Sequence, residues 1–309
     1  METQRLAVTE VNKRASCQGH QDCIYAVAAF PESRHFCTAG ADGMVVQWDL
    51  DNPETGEMVA KVSSTVYALC PVPDSGLLIV GQNFDGIHLI DPVARKELRS
   101  LKLTNAAIFD LKLWGELLFV ACGDGSLVVV NIREWRTVQR AVISEKSLRS
   151  IAINPVTREL ALGCSDHTVR VLGLDGLHSK QVIDCHTNSV FALTYSPDMS
   201  MLYSAGRDAH MRTFTVADGY ALKDDIIPHM YTVNQILFSP NGKVFATCSK
   251  DKSIRIWDAI NLRPLKTIDR SSHAGHGTSV NRLLWMDDST LVSVSDDRMA
   301  SIWDIAFSS

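Results

Sequence analysis

Aspartate recurs along this chain at residues 42, 85, 124, 166, 208, 251 and 297, at intervals of 43, 39, 42, 42, 43 and 46 residues. Each sits between two short apolar runs, as in FCTAGADGMVVQWD (Phe36–Asp49), YSAGRDAHMRTFTV (Tyr203–Val216), FATCSKDKSIRIWD (Phe245–Asp258) and VSVSDDRMASIWD (Val292–Asp304). IVGQNFDGIHLID, FVACGDGSLVVVN and LALGCSDHTVRVLG are weaker copies. A fixed period of this size means one supersecondary unit stacked repeatedly. The runs are about strand length and are bounded by Gly, Pro, Asp, Asn and Ser, so each unit reads as four short strands. No long helical periodicity competes with that reading. Asp42-Gly43, Asp85-Gly86 and Asp124-Gly125 predict tight type I′ turns, and the other aspartates predict turns in which the carboxylate bonds backbone N–H groups. Seven four-stranded sheets predict an all-β fold, a seven-bladed β-propeller formed by residues 1–309 as a single domain.

Further landmarks repeat in register. Gly-His occurs at Gly19-His20 and Gly275-His276, and Trp-Asp at Trp48-Asp49, Trp257-Asp258 and Trp303-Asp304. From His20, His229 and His276 to the following Trp the separations are 28, 28 and 27 residues. With these motifs inside a seven-fold period, the whole chain resembles the WD-repeat (WD40) propeller family. That resemblance implies that the last blade borrows its outer strand from the N-terminus. Only five residues follow Asp304, and residues 5–17 carry the apolar alternation LAVTEV that such a strand needs. An unclosed ring would leave bare sheet edges in water.

A hydroxyl residue, a histidine and an aspartate are also the parts of a hydrolase. The family resemblance instead implies a buried hydrogen-bonded chain within a blade. It is complete in blade one (His20, Thr38, Asp42, Trp48), blade six (His229, Thr247, Asp251, Trp257) and blade seven (His276, Ser293, Asp297, Trp303). Blade five has His186, Ser204 and Asp208, with Phe214 in the Trp place. Neutral imidazole has one donor and one acceptor, so it can bridge a carboxylate and a hydroxyl. Four copies at one repeat position, with no G-x-S-x-G elbow, read as struts rather than as a catalytic site. Blades two to four lack the His, the hydroxyl and the Trp, with Ile90, Val130 and Leu172 near the Trp place. They are expected to rely more on apolar packing and to open sooner.

Other chemistry finds no support. His273-x-x-His276 lacks further metal ligands, and PNGK lacks the upstream glycine of a phosphate-binding loop. No catalytic residue, cofactor or metal is expected. A formal charge of −5 argues against a nucleic-acid binder. No segment has the apolar length to span a bilayer, and the N-terminus does not read as a signal peptide. Eight scattered cysteines without a C-x-x-C pair read as reduced thiols in a cytoplasmic setting. Cys37, Cys122, Cys164 and Cys248 are expected to serve as small buried apolar residues.

Function is therefore expected on the surface, as a non-catalytic scaffold for proteins or peptides, either as a monomer or as a subunit of a larger complex. The resemblance implies that the face of the turn aspartates binds, using the residues three and five after the His and the residue before the Asp. Around the ring the fifth-position residues are Tyr25, Tyr67, Phe109, Arg149, Phe191, Asn234 and Asn281, with Tyr67, Phe109 and Arg149 placed by aligning the following apolar strand because their blades lack the His. The residues before the Asp are Ala41, Phe84, Gly123, Ser165, Arg207, Lys250 and Asp296. Tyr25, Tyr67, Phe84 and Phe109 predict an aromatic arc, and Arg149, Arg207 and Lys250 a basic one, suited to a partner with apolar anchors flanked by acidic residues. The opposing view is that some of these aromatics only plug the channel or pack between blades. A small-ligand or sugar sensor, or an enzyme using the central channel, are the alternative readings.

Overall fold

Seven antiparallel sheets of four strands each make up the structure, a computed structural model that describes residues 6–30 and 33–308. Six sheets are formed by consecutive strands. The seventh runs in the order Ala7–Gln18, Met299–Ser308, Thr290–Ser295, Val280–Trp285, so the N-terminal strand supplies its outer edge. Pairing extends from Ala7↔Ser308 to Gln18↔Met299. Arg5, the first residue of the expected strand, lies outside the described residues.

The first strand of each blade packs against those of both neighbouring blades, and Val280–Trp285 meets Ile24–Ala29 to close the ring. Seven separate apolar clusters fill the seven interfaces between adjacent sheets. This layout explains the pattern of polarity along each repeat. Second strands such as Val244–Ser249 are buried at every residue, so they read as nearly continuous apolar runs. Fourth strands such as Lys96–Lys102 and Arg136–Val142 are almost wholly exposed and carry the charge that protects an edge.

The turns differ from the type I′ expectation. In blades one and three the positive φ falls on the residue after the aspartate, Gly43 (70°) and Gly125 (79°), and not on the aspartate itself. A Cβ at these glycines would lie 2.4 Å from the Val62 carbonyl oxygen and 1.9 Å from that of Ser144, so close approach and backbone angle both require glycine.

Blade two differs again. Its strands pair Leu78↔Ile90 and Gly81↔Ile87, which puts Phe84, not Asp85, at the centre of the hairpin. In blade one the equivalent pairs, Phe36↔Trp48 and Ala39↔Val45, centre on Asp42. Phe84 has φ 62° and is exposed.

The chain's one described helix is the single turn Arg270–His273, capped by Asp269 and ended by His273. No described helix is long and apolar enough to cross a membrane. All eight cysteines are free thiols. Burial raises Cys37, Cys164 and Cys248 to about 12 and Cys122 to about 11, which keeps them protonated.

Candidate functional site

The four His–hydroxyl–Asp sets are sealed inside their blades. In blade one His20 Nδ1 lies 2.9 Å from Asp42 Oδ2, His20 Nε2 lies 2.8 Å from Thr38 Oγ1, and Trp48 Nε1 donates to Thr38 Oγ1 at 2.8 Å. The corresponding distances are 2.9, 2.8 and 2.9 Å in blade six and 2.9, 2.8 and 2.8 Å in blade seven. Blade five keeps His186–Asp208 at 3.0 Å and His186–Ser204 at 2.7 Å. The hydroxyl-bearing Thr38, Ser204, Thr247 and Ser293 have no solvent exposure. A nucleophile must reach its substrate, and these cannot.

Blades three and four depart from the expectation of apolar packing alone. Asp124 accepts from Ser126 Oγ (2.6 Å) and Arg140 Nη2 (2.7 Å). Asp166 accepts from Ser144 Oγ (2.8 Å), Thr168 Oγ1 (2.6 Å) and Arg170 Nη2 (2.8 Å). Burial works to raise the Asp166 carboxyl, but these bonds outweigh it and bring it to about 2. Blade two, with Phe84 in the aspartate's place, has neither device.

Loss of one buried bond to a charged group is worth about 1.5–3 kcal/mol, or about ten-fold or more in opening equilibrium. Native-state hydrogen exchange should therefore find the hairpin Leu78–Asp91 opening at least about ten-fold more readily than the hairpins of blades one, six and seven. Equal protection would mean that the struts add nothing to local stability.

The expected ring of seven residues has a structural cause. The first strand of every blade is bulged against the second: between Ile24 and Ala26, Val66 and Ala68, Ile108 and Asp110, Leu148 and Ser150, Val190 and Ala192, Val233 and Gln235, and Val280 and Arg282. The residues skipped by the pairing are Tyr25, Tyr67, Phe109, Arg149, Phe191, Asn234 and Asn281. A bulge leaves one residue unpaired and re-aims its side chain. All seven, with Arg282, line one cavity of about 160 Å³ at the mouth of the central channel.

Within the mouth the side chains contact each other around the ring. Tyr25 and Tyr67 have ring centroids 4.8 Å apart, and Tyr67 and Phe109 5.3 Å apart. The Arg149 guanidinium carbon sits 4.0 Å from the Phe109 ring centre and 5.0 Å from that of Phe191. Asn234 Nδ2 donates to the Val280 carbonyl at 2.7 Å, and Asn281 Nδ2 to the Ile24 carbonyl at 2.8 Å. Each asparagine thus ties its blade to the next. All seven are half-buried, so they both seal the ring and present a surface to the cavity.

The second predicted set does not converge in the same way. Phe84 is displaced to a hairpin tip and does not line the mouth, because the blade-two hairpin is centred one residue earlier than Asp85 implied; Asn83, which takes the place before the hairpin centre, is buried. The aromatic arc is therefore Tyr25, Tyr67 and Phe109. Arg207 and Lys250 are exposed near the mouth without lining it. Missed at the level of sequence were Arg282, beside the bulged Asn281, and the exposed Ile227, Met230 and Tyr231 on the connection into blade six. The signal for these three was an apolar run, IIPHMY, flanking a histidine that must be buried.

A family model, the WD domain, G-beta repeat, matches residues 12–49, 177–214, 224–258 and 264–304, stretches that include the strutted hairpins. Actin-interacting protein 1 of Drosophila melanogaster is 32% identical over 162 residues, covering 50% of this chain and 26% of that protein. Actin-interacting protein 1 of Caenorhabditis elegans is 22% identical over 302 residues, covering 94% of this chain and 48% of that protein. WD repeat-containing protein 1-B of Xenopus laevis is 22% identical, covering 87% and 44%. The chain spans about half the length of such relatives, or less. Among solved structures, the WD40 β-propeller domain of Doa1 superposes with a TM-score of 0.85 at 18% identity, covering 96% of this chain and 97% of that one.

Proposed function

Because this chain belongs to the WD-repeat β-propeller family, we propose that it is a non-catalytic docking platform whose protein partners seat on the turn-aspartate face, over the channel mouth. The observation that carries this is the convergence of seven bulged residues on one cavity, lined by Tyr25, Tyr67, Phe109 and Phe191, with the Arg149 guanidinium set between the two phenylalanines. Aromatics and arginine are the residue types that dominate interface energetics. The exposed Ile227, Met230 and Tyr231, with Arg207 and Lys250, extend that surface outward. The names of the relatives make actin the first partner to test, and with it a cytoplasmic location.

Convergent aromatics also suit a small-ligand sensor, but a cavity of about 160 Å³ falls below the roughly 300–1,000 Å³ of small-molecule sites. It has room for one side chain of a larger partner.

The test is co-sedimentation with actin filaments, together with affinity capture from cell extract. The baits are the native chain and a Tyr25→Ala/Tyr67→Ala/Phe191→Ala variant whose β-sheet circular dichroism is shown to be intact. The variant is expected to lose partners captured by the native chain, with affinity reduced at least about 100-fold, as removal of several hot-spot side chains would produce. An unchanged set of partners would remove this face from consideration.

A further inference from the structure

We infer that the channel mouth is a receptor for a single carboxylate, which the partner presents between Arg149 and Arg282 as an acidic side chain or as a chain terminus. This rests on the docking-platform reading and names the group that enters.

Arg149 is the bulged residue of blade four, clamped between the faces of Phe109 and Phe191. Its Nε donates to Ser165 Oγ at 3.0 Å. Among the described residues its two terminal nitrogens have no protein acceptor, and no carboxylate lies within ion-pairing distance. Arg282 faces the same cavity. Its Nη1 donates to the carbonyls of Asn234 (3.1 Å) and Asn281 (3.2 Å), which leaves Nη2 and Nε without described partners.

Asp296, bound to the cavity-lining Asn281, and Asp110, which shares the lining of the channel with Arg282, are already engaged. Asp296 accepts from Asn281 Nδ2 at 2.8 Å. Asp110, deeper in the channel, accepts from the Leu111 and Ile151 amides at 2.9 and 2.8 Å. A guanidinium withdrawn from water without a counter-charge is unfavourable, and its forked edge matches a carboxylate with two parallel N–H···O bonds. Burial depresses the Arg149 pKa, Tyr67 partly offsets this, and Arg207 and Arg282 add to the depression. An arriving anion would relieve these strains together.

The same features select against other occupants. A lysine or arginine from a partner would find the Phe109 and Phe191 faces taken by Arg149 and would meet like charge. A neutral apolar group would leave the guanidinium edges unsatisfied.

Four N-acetylated tripeptides separate the possibilities: acetyl-Phe-Glu-Phe-amide, acetyl-Phe-Gln-Phe-amide, acetyl-Phe-Gln-Phe with a free C-terminal carboxylate, and acetyl-Phe-Lys-Phe-amide. Inorganic phosphate is the fifth probe. Binding to the full chain is followed by NMR at the arginine Nε–H resonances. At least one carboxylate peptide is expected to bind about ten-fold or more tighter than the Gln amide, and which one does so identifies the source as a side chain or a terminus. That preference is expected to weaken with salt, to vanish in Arg149→Met and Arg282→Met, and to be reduced in Arg149→Lys, which keeps the charge without the fork. Should Arg149→Met fail to fold, Arg282→Met alone decides. Equal binding of the Gln or Lys amide, preference for phosphate over both carboxylate peptides, or no binding by any probe overturns the proposal. If the arginine variants still capture every partner that the aromatic variant loses, the platform stands and the carboxylate receptor falls.

Discussion

A chain lacking its first seventeen residues is expected to be insoluble, or to unfold at a temperature far below that of the full chain. The strand Ala7–Gln18 covers the whole length of Met299–Ser308. It places Val11 and Cys17 in two different inter-blade clusters and brings Lys13 over the Trp303 ring at 5.5 Å. Burial of apolar side chains of this kind contributes about 1–3 kcal/mol each, against a total stability of about 5–15 kcal/mol for a typical domain. The edge left behind matters as much. Natural outer strands of this propeller, such as KELRSLK and RTVQRAV, carry several basic residues. The strand uncovered by truncation reads MASIWDIAFS, with one charge in ten residues. A long, apolar, weakly charged edge pairs with other copies of itself. Expression and light scattering of the truncated chain, with and without a synthetic peptide of residues 1–18, provide the measurement. Rescue by the peptide is expected. A truncated chain that stays monomeric with an unchanged melting curve would show that the ring does not depend on this strand.

The parts of this molecule that were readable in advance are those where one residue type is needed at one place in every repeat. The aspartate-centred hairpins and the His–hydroxyl–Trp spacing gave the number of blades, and the short remainder after Asp304 pointed to closure by the N-terminus. The bulges were hidden. Tyr25, Tyr67 and Phe109 sit among other apolar residues, so a pairing slip of one position leaves no mark on the alternation. The location of the ring came from the family's offset and not from the strand pattern. The sequence misplaces Phe84 because Asp85-Gly86 imitates a hairpin centre, while the pairing Leu78↔Ile90 fixes the centre one residue earlier. The spacing did hold a clue: Asp85 to Ile90 is one residue shorter than Asp42 to Trp48. The carboxylate partners Arg140 and Arg170 are illegible in the sequence for a different reason. Arg140 reaches Asp124 from the fourth strand and Arg170 reaches Asp166 from the third, so they share no offset from the aspartate.

Thr247→Val is expected to cost about 2–6 kcal/mol although it exchanges one hydroxyl for a methyl of nearly equal size. Neutral His229 satisfies the blade-six chain completely: Trp257 Nε1–H donates to Thr247, the Thr247 hydroxyl donates to His229 Nε2, and His229 Nδ1–H donates to Asp251. Valine leaves the indole N–H and the imidazole Nε2 buried without partners, at about 1–3 kcal/mol each. Blade three shows the other stable solution, with Val120 and Val130 fully buried at the hydroxyl and Trp places. A half-satisfied network is worse than either extreme, so Trp257→Phe in the Thr247→Val background should cost less than Trp257→Phe alone. Simple additivity in that double-mutant cycle would refute the cooperative strut. Acid tests the same chain. Burial holds His229 and His20 below their ordinary 6.5, only partly opposed by Asp251 and Asp42. A proton on Nε2 would confront the Thr hydroxyl with a second donor and leave its own hydrogen without an acceptor. The unfolded chain therefore binds protons first as pH falls through about 6.5, and stability is full above that value and declines below it. Near pH 4 and below, the carboxylates add a second decline. Burial alone would raise Asp251 and Asp42, but for Asp251 the bonds from His229 and Ser253, and for Asp42 those from the Gln21 and Met44 amides, outweigh it and hold both below the usual range. Glutamine offers a donor and an acceptor without titrating. A His20→Gln/His229→Gln variant should accordingly be less stable at pH 7.5 yet lose less between pH 7.5 and 5 than the native chain in urea unfolding. A native chain equally stable at both values would mean that these imidazoles are not held neutral.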